Sequence, residues 1–122
     1  MDPLEPRIRE LFCALEHAGE PAARDGAAWL RGEAGLEATG TRVRFALRAG
    51  ATRLLEVRYR AYGCPHTLAT CEWLARNLEG RRLDALAVGN PIDWAQHLGV
   101  PAAKMSRLLV IEDALLAALH PS

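Results

Sequence analysis

The sequence of 122 residues lacks the features of a nucleic-acid-binding, membrane or secreted protein. Its 15 basic and 15 acidic side chains cancel to a formal net charge of zero, which argues against nucleic-acid binding over a broad surface. No apolar run approaches the ~20 residues of a membrane span. The N-terminus has no basic region followed by an apolar stretch, so it does not resemble a signal peptide. We therefore expect a cytoplasmic protein without a membrane span.

Cysteine is scarce, and the three thiols belong to Cys13, Cys64 and Cys71. An odd number without an export signal does not predict a disulfide framework, and the spacing does not match a structural zinc site built from two close pairs.

The sequence also lacks a nucleophile–base–orienter set and a phosphate-binding glycine loop, so an enzyme acting on a small molecule has no support. We expect a protein that is not an enzyme.

The length predicts one domain, residues 1–122, with one hydrophobic core. Apolar residues spaced by three and four predict an N-terminal helix over residues 3–18, and residues 28–31 are predicted to open a strand. Apolar residues then alternate along 42–48 and 55–62, which predicts an antiparallel hairpin joined by the turn at 49–52. The apolar set of the second strand is Leu55, Val57, Tyr59 and Ala61.

The opposite side of this hairpin is basic, since it carries Arg42, Arg44, Arg48, Arg58 and Arg60. Such a side could dock an acidic protein or nucleic acid, and it could equally be a solvated sheet face that discourages aggregation. After the hairpin the period becomes helical, from Pro65 to Gly80, from Ile92 to Leu98 and from about Ala102 to Leu119, with a short helix or turn near 83–86. The whole pattern predicts an α+β fold: an N-terminal helix, a small antiparallel sheet of about three strands, and a helical C-terminal half packed on one face of the sheet.

Two further expectations concern the interior. Trp73 and Trp94 are predicted to pack between helices, because an indole ring contributes a large apolar area. Cys71 lies on the apolar stripe of its helix and is predicted to be part of the core, and Cys13 is predicted to have a structural role in the N-terminal helix.

The most informative segment is Ala61-Tyr62-Gly63-Cys64-Pro65-His66, where a strand gives way to a helix. A thiol at the first turn of a helix lies among unpaired backbone N–H groups, which favour the thiolate. Cys64 is therefore a candidate sulfur nucleophile or soft-metal ligand. His66 could join it on a single zinc or iron ion, or could be an exposed residue of the first turn.

The residues Arg58 to Cys64, together with Leu78 to Asp84, Val100 to Lys104 and Glu112 to Leu115, resemble the IscU/NifU N-terminal family of iron–sulfur cluster assembly scaffolds. The resemblance covers roughly residues 39 to 119. It implies a scaffold that assembles an iron–sulfur cluster on three cysteines, with cysteine desulfurase or other assembly proteins as partners. Cys64 matches the middle cysteine of the family.

The other ligand positions of the family carry different residues in this sequence. Its first cysteine and a nearby aspartate fall on Thr39 and Thr41, and its His-Cys pair falls on Ser106 and Arg107. Hydroxyl groups are poor replacements for thiolates, and a guanidinium group has no lone pair for a metal. We therefore expect no stably bound cofactor, although an iron–sulfur cluster or a single zinc or iron ion stays an alternative.

Two functions follow from the resemblance. The first is a divergent scaffold that accepts or relays sulfur on Cys64, with Arg107 lowering the pKa of this thiol if the fold brings it close. The second is a non-catalytic binding or regulatory module that retains the scaffold fold and docks partners of the assembly machinery. Pro101 and Lys104 match the partner-recognition segment of the family, so both are candidate partner-binding residues.

Overall fold

A computed structural model describes residues 5–21 and 29–120 of the chain. Within these two ranges, four α-helices and three strands are connected by turns. In chain order they are α1 (Pro6–Phe12), β1 (Trp29–Leu36), β2 (Thr41–Ala49), β3 (Leu54–Tyr62), α2 (Pro65–Leu78), α3 (Pro91–Leu98) and α4 (Met105–Leu119). Single 3₁₀ turns cover Glu37–Thr39, Leu83–Ala85 and Ala102–Lys104. The predicted α+β fold is confirmed.

The three strands form an antiparallel sheet in the order β1-β2-β3. The helices α2 and α4 pack against this sheet, α3 packs against α4, and α1 packs against α2. Apolar side chains of β2 and β3 meet those of the helices in the core, where Phe45 and Tyr59 have ring centroids 6.2 Å apart. Trp94 and Cys71 are fully buried there, as predicted, and Trp73 is half-buried against the same core.

The N-terminal helix is shorter than its apolar pattern predicts. It ends at Phe12, and the predicted residues 3 and 4 lie outside the described part of the chain. Residues 17–19 instead run beside β3, where Ala18 bridges Tyr59 and the N–H of Gly19 donates to the carbonyl of Tyr59 over 2.8 Å. Backbone pairing with the sheet edge has replaced helical hydrogen bonds. Cys13 follows the helix and is exposed, so its predicted structural role was wrong.

The second strand of the hairpin also departs from simple alternation. The pairing shifts between Arg48 and Ala49, so that Arg48 faces Glu56 but Ala49 faces Leu54. This bulge sends Leu54 into the core and leaves Leu55 43% exposed, which reverses the prediction for Leu55.

The predicted basic side of the hairpin is largely neutralised by five glutamates, one in the hairpin itself and four in other parts of the chain. The N–O distances of these salt bridges run from 2.5 to 3.7 Å. The acidic partners are Glu20, Glu33, Glu37, Glu56 and Glu79. A face whose cations are already paired favours the solvated-surface interpretation over a nucleic-acid site.

Candidate functional site

Cys64 is the residue that caps the N-terminus of α2. The strand β3 ends at Tyr62, and Gly63 makes the turn, where an added Cβ would lie only 2.9 Å from Oγ1 of Thr67. Pro65 then occupies the first helical position, which its fixed backbone geometry suits. The sequence motif thus places a half-buried thiol at the junction of sheet and helix, as predicted.

The surroundings of this thiol favour its ionised form. Partial burial raises the pKa of Cys64, but backbone N–H groups of Thr67 and His66, the hydroxyl of Thr67 and the positive charge of Arg107 all lower it. The lowering contributions prevail, so the pKa of Cys64 lies below its ordinary value. Oγ1 of Thr67 lies 3.6 Å from the Cys64 sulfur.

Two positive charges act on this part of the chain: Arg107 in the first turn of α4 acts on Cys64 and His66, and Lys104, just before α4, acts on His66. An added Cβ on Gly35 would lie 2.8 Å from Cγ1 of Val110, one turn after Arg107, and 2.2 Å from the carbonyl oxygen of Thr41. Because Gly35 has no side chain, Val110 and with it the first turns of α4 can lie close to the end of the sheet where β2 begins. The Nε atom of Arg107 is buried and has no hydrogen-bond partner.

The pKa of His66 is affected by the same two cations. Burial lowers the pKa of His66, and the charges of Lys104 and Arg107 lower it further, so the neutral imidazole is favoured. Within the described part of the chain, neither Lys104 nor Arg107 forms a salt bridge with a carboxylate. The site therefore contains a thiol with a lowered pKa, a neutral imidazole and two cations that form no salt bridge with a carboxylate of the described residues.

The three hydroxyl residues that the resemblance aligns with other ligand positions of the family differ in their surroundings. Thr41 is buried at the start of β2, and because Arg42 pairs with Tyr62, Thr41 lies next to Gly63 at the end of the ladder. Thr39 is exposed, and its hydroxyl donates to the carbonyl of Leu36 over 2.8 Å. Ser106 is exposed on α4. The fold thus places Thr41 beside the turn that holds Cys64, while Thr39 is engaged in its own loop.

The donor set around Cys64 does not fit a cluster held by one chain. Among residues 5–21 and 29–120, no three side chains of the Cys, His, Asp and Glu types lie together as metal ligands. Cys71 is fully buried, and burial raises its pKa far above the ordinary value, so it stays a thiol. Arg107, which the resemblance aligns with a ligand position of the family, has no lone pair to offer a metal.

One group of interacting polar residues was missed by the sequence reasoning. Glu72 is buried in the middle of α2 and contacts His17, Tyr59 and Arg76. The spacing of Glu72 and Arg76, four residues apart on one helix, was a signal that could have revealed part of it. His17 and Tyr59 carry no comparable signal, because they reach Glu72 only through the fold.

Comparison with known proteins decides the family. A family model described as the NifU-like N terminal domain matches residues 6–121 of the chain. This chain belongs to that family. The match confirms the resemblance predicted from the motifs around Cys64, and it extends to the N-terminal residues that those motifs did not include.

Two curated relatives are similar to this member of the NifU-like family. The bifunctional protein NifU/MnmA of Rubrobacter xylanophilus is 42% identical over 97 residues, which are 79% of this chain and 19% of that protein. The nitrogen fixation protein NifU of a Nostoc species is 32% identical over an alignment of 124 residues, gaps included, that covers 93% of this chain and 40% of that protein. The chain therefore spans less than half the length of either relative.

Solved structures show the same fold at low identity. A putative iron–sulfur cluster assembly scaffold protein for the SUF system, from Fervidobacterium islandicum, superposes with a TM-score of 0.68 at 15% identity, covering 95% of this chain and 96% of that chain. The N-terminal part of a NifU-like protein from Brucella abortus gives a TM-score of 0.64 at 17% identity, covering 94% of this chain and 90% of that chain. Among the described residues no helix is both long and apolar enough to span a bilayer.

Proposed function

We propose that this NifU-like chain takes part in iron–sulfur cluster assembly by accepting sulfur on Cys64, and that it does not hold a cluster within one chain. The observation that carries this proposal is the thiol at the start of α2, with its lowered pKa and with Arg107 close by. A thiolate attacks sulfur, whereas a thiol does not. Because the chain belongs to the NifU-like family, we place this step in iron–sulfur cluster assembly.

The proposed step is a transfer of sulfane sulfur from a protein persulfide, such as that of a cysteine desulfurase. The Cys64 thiolate attacks the outer sulfur of the donor persulfide and forms a new S–S bond. The donor's own S–S bond breaks, and its cysteine leaves as a thiolate. Cys64 then carries a persulfide, with no net oxidation and no further reactant. One sulfur is taken up per chain, so this role is that of an acceptor and not of an enzyme.

The positive charges of the site favour a persulfide on Cys64 over a bound metal ion. A persulfide is anionic, and Arg107 and Lys104 attract an anion while they repel a divalent cation. A mononuclear zinc or iron site on Cys64 and His66 would need further ligands from another chain, because the described residues provide no third donor. Metal analysis of protein purified without a chelator tests this alternative, and stoichiometric metal would support it.

The decisive experiment is sulfur loading followed by intact mass spectrometry. The chain is incubated with a cysteine desulfurase and free cysteine, and we expect the mass to rise by one sulfur atom that a reductant removes. Cys64→Ser should take up no sulfur, whereas Cys13→Ser, which removes an exposed thiol outside the site, should load like wild type. Absence of sulfur on Cys64 would disprove the proposal.

The binding-module alternative is distinguished by a second variant. The segment at Pro101 and Lys104 is a candidate contact for partners, with Pro101 exposed and Lys104 half-buried beside the site. If Cys64→Ala keeps both partner binding and the biological activity of the chain, the thiol is dispensable and the module is favoured. If the variant binds partners but loses activity, sulfur acceptance is favoured.

A further inference from the structure

Four exposed arginines surround an open depression at the C-terminal end of α2. The depression lies between this helix end and the turn that joins β2 to β3, and we refer to its arginines as the arginine cluster: Arg53, Arg76, Arg81 and Arg82. The backbone below them is hydrogen-bonded. The N–H of Leu54 donates to the carbonyl of Arg81 over 2.8 Å, and the N–H of Gly80 donates to the carbonyl of Leu54 over 2.7 Å.

Two members of the arginine cluster have no acidic partner. Arg53 donates to the carbonyl of Gly80 over 3.0 Å, and Arg81 donates to the carbonyl of Asn77 over 2.9 Å. Within the described part of the chain neither forms a salt bridge with a carboxylate, in contrast to the arginines of the hairpin, which are paired with glutamates. Because a guanidinium group has five N–H donors, both keep donors for an acceptor outside the chain.

The acidic groups near the cluster are engaged elsewhere or shared. Arg82 binds the exposed Asp84 at 2.9 Å, a contact that water screens. Arg76 donates to Glu72, which is buried and serves other donors as well. Glu79 also lines the depression, but its carboxylate contacts side chains of β3 and of the N-terminal segment. The depression therefore keeps an excess of positive charge.

The arrangement of the cluster is unfavourable without an anion. Arg53 and Arg82 are direct partners in an isolated antiparallel bridge. Like charges that face each other across such a pair repel and destabilise it. A departure from favourable charge placement is expected at functional sites, where a ligand compensates for it.

We propose that the arginine cluster docks an acidic segment of a protein partner, whose carboxylates are bound by Arg53 and Arg81. Guanidinium groups match carboxylates with two parallel hydrogen bonds, which gives both strength and orientation. An acidic segment also places negative charge between Arg53 and Arg82. This interaction goes beyond the proposed sulfur transfer and does not depend on it.

An acidic protein fits this surface better than a nucleic acid does. None of the described residues that line the depression is aromatic, so the surface offers no ring on which an exposed base can stack. The formal net charge of the whole chain is zero, so a long polyanion finds no wider basic surface.

The arginine cluster and Cys64 lie at opposite ends of the same helix. The 14 residues of α2 separate them by ~20 Å along the axis. A segment docked on the cluster therefore leaves Cys64 accessible, and the chain can hold a partner while the thiol reacts.

Fluorescence anisotropy with a labelled oligoglutamate peptide tests this surface. We expect binding at low ionic strength that weakens as salt is added. Arg53→Glu and Arg81→Glu should each weaken it about tenfold, because each removes charge-assisted hydrogen bonds and adds repulsion. Arg60→Glu makes the same change of charge on the sheet, outside the depression, and should bind nearly like wild type. Cys64→Ser should also bind like wild type, so this result is independent of sulfur loading.

Circular dichroism shows whether each variant is folded. If a variant does not fold, NMR of the wild-type chain decides, since the peptide should shift the backbone amides of residues 52–54 and 76–85 before others. Absence of binding at low ionic strength would overturn the proposal. Equal weakening by Arg60→Glu would do so too, because overall charge would then explain the binding. Tighter binding of a labelled single-stranded RNA that is lost in Arg53→Glu and Arg81→Glu would assign the surface to nucleic acid instead.

Discussion

Nδ1 of His17 lies 2.6 Å from the carboxylate of Glu72, whose side chain is completely buried in the middle of α2. The same carboxylate accepts a hydrogen bond from the backbone N–H of His17 at 2.9 Å, from the hydroxyl of Tyr59 at 3.1 Å and from Nε of Arg76 at 2.9 Å. One buried charge therefore connects the N-terminal segment, the sheet and α2, the helix that carries Cys64.

Removal of this charge should destabilise the fold. We expect Glu72→Ala to lower the free energy of unfolding by about 3 kcal/mol, because it leaves His17, Tyr59 and Arg76 without their acceptor. Arg76 can turn to solvent, which limits the loss. Urea denaturation measures the change, with Glu10→Ala on the exposed side of α1 as a control that should cost little. A loss no larger than that of the control would contradict the role of Glu72.

The same carboxylate should make stability depend on acid. Burial raises the pKa of Glu72, but hydrogen bonds from the backbone of His17 and from Arg76 and the His17 ring outweigh burial and hold this pKa below its ordinary value of 4.5. A lowered pKa in the folded state means that the stabilisation is present above pH 4.5 and is lost as the pH falls through the folded-state pKa. Unfolding free energy measured from pH 7 downward should show this loss, and Glu72→Gln should reduce it. Equal acid sensitivity in both proteins would argue for other carboxylates.

The two thiols of α2 should differ sharply in reactivity. Cys64 is half-buried with a lowered pKa, whereas Cys71 is fully buried with a raised one. We expect iodoacetamide to modify Cys64 at a pH below that needed for an ordinary cysteine, and to modify Cys71 only after unfolding. Peptide mass mapping over a range of pH values separates the sites, and exposed Cys13 serves as the internal reference. Modification of Cys64 at the same rate and pH as Cys13 would contradict the activated thiol.

Replacement of the nearby cation should weaken this activation. Arg107→Gln removes a positive charge that adds to the hydrogen bonds of Thr67 and His66 in lowering the pKa of Cys64, so the pH at which alkylation of Cys64 is half-maximal should rise modestly. Arg107→Lys retains a positive charge and should stay close to wild type. Sulfur loading by a desulfurase should slow for Arg107→Gln near neutral pH and recover at higher pH. A lasting loss of loading at every pH would indicate a structural defect and not an electrostatic one.

Gly32 should tolerate no side chain. Its added Cβ would meet backbone atoms of α4 at 2.2 Å, and a backbone cannot move aside as a flexible side chain can. We expect Gly32→Ala to cost about 3 kcal/mol, at the upper end of overpacking effects. Gly40→Ala is the matched control: nothing lies within 4 Å of its Cβ, but its φ of +93° should cost ~1 kcal/mol. Urea denaturation of both variants separates lack of space from backbone strain. Equal losses of unfolding free energy would show that α4 does not pack closely enough against Gly32 to exclude a methyl group.

The elements of the fold were predictable because their signals are local. Alternation of apolar and charged residues along the hairpin and the three-and-four spacing after Pro65 each report on neighbours in sequence. The helix start at Cys64 was predictable for the same reason. The predictions failed where a distant contact prevailed: residues 17–19 left the helical pattern to pair with Tyr59, and the bulge near Ala49 exchanged Leu54 for Leu55 in the core.

The sequence by itself determined the order of helices and strands, the family and the thiol at the start of α2, since these depend on composition, period and short motifs. Only the tertiary structure decided which charges meet. It paired the arginines of the hairpin with glutamates, buried Glu72 against His17, and brought Arg107 near Cys64. The physical reason is that electrostatic contacts act between atoms a few ångströms apart, and the sheet register and helix packing, which no local pattern records, set those distances.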